Sequence, residues 1–242
     1  MLGTILNVLG ILIGGVAGLA RRTGLSAANE ARVQVVLAAL TVFFGLRLTW
    51  LSVNGSFGQI ARQLLIVLLA LMLGGLAGRL LRLQKLSNGL GRQARQRLAG
   101  IKRGDPARLS EGFKACSALF CASPLGVVGA LVDGLSFSPY FYPLAIKGAL
   151  EGLASASFAP ALGGGVLLSA LPVLAVQGTL GLLGARVLEP FLAARGLLDS
   201  VNAVAGLLIF CVALVMLGLK RIELANYLPS LLAGPLLTWC WR

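Results

Sequence analysis

The chain has 242 residues, of which 57% are hydrophobic and only 12% are charged. Its mean hydropathy is +0.90. A soluble domain carries about 25% charged residues, so a soluble fold of this length could not cover its apolar surface. The composition therefore excludes an ordinary soluble globular protein and predicts an all-α, polytopic membrane helix bundle.

Long runs without Asp, Glu, Lys or Arg predict the spans in chain order. A transmembrane helix needs about 20 mainly apolar residues, which gives about 8 spans, or 7 if one segment is re-entrant. The predicted spans are 2–20, 33–53, 63–81, 113–132, 139–160, 165–185, 200–219 and 222–241. The charge-free run after Glu151 is too long for the end of one helix, and the triplet Gly163-Gly164-Gly165 predicts a turn inside it.

One transmembrane domain is predicted over residues 1–242, with a first helical triplet (1–81), a basic connector (82–111) and the remaining spans with a polar centre (112–242). Leucines recur among Arg, Lys and Gln in the connector, a basic amphipathic pattern that favours a position along the inner leaflet. Two interpretations stay open for the connector, a solvated segment held by anionic lipid and a specific lipid or partner site.

The net charge of +13 invites a nucleic-acid interpretation, but its distribution favours membrane topology. With eight spans, fifteen cations fall on the face that holds the connector and four on the other. Asymmetry of this kind is what the positive-inside bias produces. It predicts a cytoplasmic connector, termini outside and no nucleic-acid partner.

An internal repeat relates the two ends of the chain. VLGILIGGVAGLAR at 8–21 aligns with VLAVQGTLGLLGAR at 173–186, so spans one to three correspond to spans six to eight. An offset of five spans makes the repeat inverted, as in many secondary transporters, although apolar helices also resemble one another by composition. The GxxxG spacings in IGGVAG (13–18) and LGGLAG (73–78) predict tight helix packing, while a homo-oligomer stays an open alternative.

A polar centre is predicted in the fifth span. Lys147, Glu151 and Ser155 recur every four residues and so share one helix face. Ionisable residues inside a span indicate a functional site by default, whereas the alternative is a structural ion pair, for which apolar residues would often be at least as stable.

Other polar residues complete the predicted centre. Ser123-Pro124 interrupts the fourth span, and Asp133 follows near its end. Gln177 in span six, Asn7 in span one and Asn202 in span seven are intramembrane amides, which either bind a solute or hold helices together.

The residue inventory predicts neither an enzyme nor a cofactor. The chain has no histidine, which excludes a His-based metal site and a Ser-His-Asp or Cys-His arrangement. It also has no GxxxxGK[ST] loop for ATP, and its four cysteines form no CxxC motif.

Four segments resemble the YqgA-type bacterial membrane proteins, a family of unknown function regarded as transporter candidates. They are MLGTILNVLGILIGGVAGL at the start, EGFKACSALFCASPLGVVGALVDGL, KGALEGLASASFAPALGGGVLLSALPVLAVQG, and KRIELANYLPSLL near the end. The family pattern has a lysine followed by Asp-Gly in the fifth span, and here Lys147 matches while Glu151-Gly152 takes the Asp-Gly place. The resemblance implies a multi-span protein of the bacterial inner membrane.

Three function classes follow from these patterns. The first is a secondary transporter or permeation protein for a small solute or ion, with Glu151 as the proton- or cation-sensitive carboxylate and Lys147 as its counter-ion. The second is a structural or regulatory membrane protein that uses the basic connector to bind lipid or a partner. The third, an intramembrane enzyme, has no nucleophile–base pair or metal cluster in the sequence and would need Asp133 and Glu151 to meet in space.

Overall fold

The fold is entirely helical over the residues that the computed structural model describes, which are 1–21, 26–100, 107–135 and 140–241. The helices are α1 (Leu2–Ala20), α2 (Ala27–Leu51), α3 (Phe57–Leu80), α4 (Leu83–Gly100), α5 (Arg108–Cys121), α6 (Pro124–Leu135), α7 (Tyr142–Leu162), α8 (Gly165–Leu168), α9 (Ala170–Leu183), α10 (Glu189–Ala194), α11 (Leu198–Met216) and α12 (Ser230–Cys240). A π-helical turn, Gly184–Leu188, joins α9 to α10, and a 3₁₀ turn, Leu224–Tyr227, precedes α12. The prediction of an all-α membrane bundle is confirmed.

Five helices of the described ranges are long and apolar enough to cross a membrane: α1, α2, α3, the continuous segment Gly165–Ala194 and α11. The pair α5 and α6, bent by 61°, has the length and composition of either one broken span, which would be a sixth, or a re-entrant loop. The other two predicted spans, 139–160 and 222–241, coincide with α7, which carries two charges, and with α12, which has only 11 residues. The predicted count of eight spans stays a prediction, and Pro139 at the start of the fifth lies outside the described residues.

Large apolar side chains cover the outside of the bundle. Ile13, Val16, Met72 and Leu171 are each more than half exposed. A soluble protein rarely exposes so extensive an apolar surface, so these side chains form the surface that lipid covers.

Glycines allow α1 to pack directly against α7. A β-carbon at Gly10 or Gly14 would overlap the backbone carbonyl of Gly148 or Gly152, and one at Gly18 would overlap Ala156. Because small residues four apart let helix backbones approach closely, α1 and α7 are held side by side along most of their length. The second GxxxG motif, at 73–78, also allows close packing. Its Gly74 and Gly78, on α3, lie against the backbone that leads into α12.

The three helices of the first triplet pack against the three segments that the predicted repeat assigns to them. α1 contacts α9, α2 contacts α11, and α3 contacts α12. Each pair runs antiparallel. Asn7 contacts Gln177 while Gly15 lies against Leu167, and Thr41 lies near Met216 while Thr49 contacts Ala203. In the third pair Gly74 lies against Ser230 while Gly78 lies against Asn226, just before α12. An inverted repeat requires this relative direction, so the packing agrees with the repeat, which itself stays a prediction.

The buried core consists of two clusters that meet at the break between α5 and α6. One cluster joins α1, α5, α7 and α9 around Ile11 and Phe120. The other joins α2, α3, α6 and α11 around Val67, Leu125 and Ile209. The chain passes from the first cluster to the second between Phe120 and Leu125.

The basic connector forms α4 along one end of the bundle. Its Ala94 is fully buried and the helix packs on α5. The Gln84 side chain accepts a hydrogen bond from the Ala225 backbone N–H at 3.0 Å, which fixes the start of α4 to the 3₁₀ turn before α12. Residues 101–106 of the predicted connector lie outside the described part.

Replacing Gly14 by valine should weaken the bundle. The new side chain would overlap the Gly152 carbonyl, and overpacking costs about 1–3 kcal/mol. We expect the midpoint of thermal unfolding of the purified protein to fall by roughly 2–10 °C. The matched control is Gly89→Ala on α4, where a β-carbon meets nothing within 4 Å. A Gly14→Val midpoint equal to that of the control would contradict the close α1–α7 contact.

Candidate functional site

Lys147 and Glu151 lie at the middle of α7 and contact each other directly. They are only 2% and 7% exposed, and the Lys147 ammonium donates a hydrogen bond to the Glu151 carboxylate. Glu151 is nine residues from the start of α7 and eleven from its end, or about 14 and 17 Å along the axis. The predicted pair therefore sits near the centre of the helix, far from both ends.

The break between α5 and α6 supplies a further partner for Lys147. Its ammonium donates to the backbone carbonyl of Phe120 at 3.1 Å. Phe120 lies in the last turn of α5, where carbonyl groups lack intrahelical partners and the helix dipole favours a cation. Pro124 begins α6 just beyond, so the interruption expected at Ser123-Pro124 is the feature that exposes this carbonyl.

Two amides join the charges from other helices. Asn7 of α1 donates through Nδ2 to Oε1 of Gln177 of α9 at 3.0 Å. The Asn7 side chain also lies beside the Glu151 carboxylate. A β-carbon at Gly126 of α6 would lie 2.9 Å from Lys147 Cε and 3.2 Å from Gln177 Nε2, so this glycine provides the space in which the lysine and the glutamine meet.

Several polar atoms around the pair are buried without a hydrogen-bond partner in the described ranges. They are Glu151 Oε2, Asn7 Oδ1, Gln177 Nε2 and Ser155 Oγ. An unsatisfied buried polar group costs about 1–3 kcal/mol, and native proteins contain few of them. Their concentration around one ion pair shows that this region has hydrogen-bonding capacity that its own side chains do not use.

The structure separates two of the seven predicted site residues from the others. Asp133 accepts hydrogen bonds at 3.0 Å from the backbone N–H of Gly3 and from the terminal ammonium of Met1, so it binds the start of α1. Asn202 lies on α11 with a buried and unpartnered Oδ1, and no hydrogen bond among the described residues joins it to the others. Lys147, Glu151, Asn7 and Gln177 come together, and Ser155 lies one turn further along the same face of α7, fully buried.

The sequence matches a known family over nearly its full length. The family described as "Protein of unknown function (DUF554)" matches residues 2–239. The chain belongs to the DUF554 family. The uncharacterized protein YqgA of Escherichia coli (strain K12) is 31% identical over 243 residues, which cover 100% of this chain and 97% of that protein.

A second relative carries a membrane description. The uncharacterized membrane protein YdfK of Bacillus subtilis (strain 168) is 27% identical over 235 residues, which cover 97% of this chain and 94% of that protein. No solved structure matches. Together with the apolar helices and their exposed surface, these relatives show a membrane protein of an uncharacterized family, as the resemblance to the YqgA-type proteins predicts.

Sequence patterns missed two components of the polar centre in this DUF554 protein. The Phe120 contribution is a backbone carbonyl, which has no side-chain signature. Gly126 acts by leaving space for two other side chains. Within the described ranges no group of three or more His, Cys, Asp or Glu residues is placed to hold a metal ion.

Separate removal of the two charges should destabilise the protein, and joint removal should not. Lys147→Met or Glu151→Gln leaves one buried charge without its partner, which costs about 3–5 kcal/mol. The double variant Lys147→Met/Glu151→Gln should recover most of this loss, because no unpaired charge remains. The free energy of unfolding in mild detergent, measured by titration with a denaturing detergent, checks this coupling.

A matched control is the half-exposed pair between Arg97 and Glu111. Arg97→Gln should leave stability nearly unchanged, since water screens exposed ion pairs. If the losses of the two α7 single variants add up in the double variant, Lys147 and Glu151 are not a coupled buried pair.

Proposed function

We propose that this protein is a secondary transporter or permeation protein for a small solute or ion, and that the cargo binds at the Lys147–Glu151 centre. The observation that carries the proposal is a buried ion pair that lies against a helix break and is surrounded by unpartnered polar atoms. Discontinuous helices and ionisable groups near the midplane are the features from which secondary transporters build their binding sites.

A purely structural role explains the pair less well. Well-packed apolar residues are often as stable as a buried ion pair or more so, and Lys before Glu is the weaker orientation at this spacing in a helix. The pair also leaves Glu151 Oε2 and Gln177 Nε2 without partners. A bound cargo would supply hydrogen-bond partners to these two atoms.

In the proposed mechanism the cargo competes with the ion pair. A proton or cation on Glu151 neutralises the carboxylate and releases the Lys147 ammonium. The released ammonium keeps the Phe120 carbonyl as a partner and has donors free for an anionic or polar group. The Asn7 and Gln177 amides bind the uncharged parts of the cargo through the atoms that they do not use for each other.

Contacts between α2 and α7 close the centre at both ends. Toward the start of α7, the Tyr140 hydroxyl donates to the Phe44 carbonyl, and the Phe44 and Tyr142 rings stack with centroids 4.1 Å apart. Beyond Glu151, the Ser157 hydroxyl donates to Glu30 of α2. Opening one end while the other stays closed gives alternating access, and the α5–α6 break lies where the two core clusters can shift.

The basic connector supports a second candidate function. α4 exposes Arg92 and Arg95 beside Asn88 and Gln96 in a shallow groove, so its outer face is polar and basic. A structural or regulatory protein would use this face to bind anionic lipid or a soluble partner, and nothing would cross the membrane. Neutralising these arginines would then change function more than altering Glu151.

Glu151→Gln should abolish transport in proteoliposomes. The amide retains the size of the side chain but can neither carry a proton nor pair with Lys147 as an anion. Flux is measured with an internal pH dye during a screen of inorganic ions, amino acids and organic acids. The substrate class is identified with the unaltered protein, and the variant is then compared at the same reconstituted amount.

Arg92→Gln/Arg95→Gln serves as the control and should retain nearly full flux. Flux that survives Glu151→Gln but disappears in the control would favour the connector-based function. Unchanged flux in both variants would remove Glu151 from the mechanism.

We also propose an inner-membrane location with the connector in the cytoplasm and both termini outside, because fifteen of the cations fall on the connector face. Single cysteines are introduced at Arg92 of α4 and at Gly58 of α3 in a variant whose four native cysteines are replaced by alanine. In intact cells an impermeant thiol reagent should label the Gly58→Cys protein, and the Arg92→Cys protein only after lysis. The opposite pattern would reverse the orientation.

A further inference from the structure

A polar cavity lies at the end of the bundle opposite α4, between the beginnings of α3 and α11. Its volume is about 270 Å³. Ile66, Val67 and Ala203 form its floor and are at most 3% exposed. We call it the α3/α11 pocket. Its lining residues come from α3, α11, α12 and the loops before α3 and α11, so it shares no residue with the Lys147–Glu151 centre.

Opposite charges stand on opposite walls of the α3/α11 pocket. Arg62 belongs to α3 and Asp199 to α11. Among the described residues the ion pairs involve neither of them, so their charged atoms are more than 4.0 Å apart. Two unlike charges that face one small cavity without closing on each other leave room for a ligand between them.

The α3 wall offers mainly hydrogen-bond donors. Gln63 Oε1 accepts from the Asn54 backbone N–H at 3.1 Å, and Gln59 Oε1 accepts from the Ser56 backbone N–H at 2.8 Å. Gln63 Nε2 donates to the Asn54 carbonyl at 3.4 Å, which leaves one of its two N–H groups, and the Gln59 amide nitrogen has no acceptor among the described residues. N–H donors therefore remain beside the Arg62 guanidinium. Since Gln59, Arg62 and Gln63 recur at three- and four-residue spacing, they share one face of the helix.

The α11 wall offers an acceptor. Its Asp199 carboxylate has no hydrogen-bond partner among the described residues, whereas the neighbouring Ser200 hydroxyl is paired with that of Thr238 at 2.6 Å. The wall thus presents one free carboxylate and hydroxyl groups that already bind each other. A cationic group is the natural partner for Asp199.

We propose that the α3/α11 pocket binds a small zwitterionic solute of the size of a free amino acid. The ligand carboxylate lies on Arg62 and the amide N–H groups of Gln59 and Gln63, and the ligand ammonium lies on Asp199. The volume is close to the lower limit of ordinary ligand pockets, about 300 Å³, so a solute with few heavy atoms fits and a peptide does not. This binding is independent of transport through the Lys147–Glu151 centre.

Equilibrium binding to the purified full-length protein tests the proposal. Isothermal titration is carried out with a panel of free amino acids, and with methylammonium and acetate as probes that carry one charge each. At least one amino acid should bind saturably, and both single-charge probes should bind at least tenfold more weakly. Asp199→Asn and Arg62→Gln should each weaken amino-acid binding at least tenfold, because each removes the partner of one charged end.

Arg195→Gln is the matched control, since Arg195 is exposed near the same end of the bundle but contacts the Phe191 ring and does not line the pocket. It should bind with unchanged affinity. All three variants change exposed side chains, and equal elution volumes and unfolding midpoints without ligand check that they are folded. If no amino acid binds saturably, the pocket is only a water-filled crevice at the helix ends, and the proposal is overturned. An affinity that neither pocket variant changes would also overturn it.

Discussion

The contact between Lys147 and Glu151 is the interaction on which the polar centre depends. Neither charge is tolerable alone at the middle of a membrane helix, so each requires the other and further polar partners. The helix break supplies one such partner in the Phe120 carbonyl. A continuous α5–α6 helix would use that carbonyl internally, so the break and the ion pair belong to one arrangement.

The close packing of α1 on α7 has a consequence for this arrangement. Because the glycine contacts bring the two backbones together, Asn7 reaches both Gln177 and the side of Glu151. At these glycines no side chain lies between α1 and α7. α2 instead meets α7 through the aromatic stack and the Ser157–Glu30 hydrogen bond, which are side-chain contacts that can open while the helices themselves remain intact.

The two core clusters suggest how such opening is accommodated. Phe120 belongs to the cluster around α1 and α7, and Leu125 belongs to the cluster around α2 and α11. The chain bends by 61° between them, at Ala122 and Ser123, and packed interfaces commonly shift at such junctions. Since the Lys147 ammonium contacts the chain at this junction, a change in its charge partner acts directly on the hinge. The α3/α11 pocket lies among the helices of the second cluster.

The sequence predicted the parts of this structure that depend on local patterns. Charge-free runs located α1, α3 and α11, because lipid permits few charges in a span. The four-residue spacing placed Lys147, Glu151 and Ser155 on one face, and the proline located the break.

The contact between Asn7 and Gln177 joins residues 170 positions apart and could not be read from either neighbourhood. Asp133 was grouped with the centre because it follows the broken span. However, α6 carries it nine residues beyond Pro124, about 14 Å along the axis, to the start of α1. The sequence was equally unable to place Asn202. An amide in a span indicates a buried polar group, but the sequence does not show which neighbouring helix the amide faces. The remaining components are a backbone carbonyl and a glycine, which act through position alone.

The most direct test of the account is whether water reaches the polar centre in a lipid membrane. Ser155→Cys places a thiol one turn from Glu151 on the same face of α7, in a variant whose native cysteines are replaced by alanine. If cargo and water reach the centre during a cycle, this thiol reacts measurably with a small water-soluble methanethiosulfonate reagent. A thiol at Ala213, which is fully buried on α11, should react only after denaturation. A Ser155→Cys thiol that is as unreactive as the Ala213→Cys thiol would show a dry, sealed ion pair and would contradict the transport mechanism.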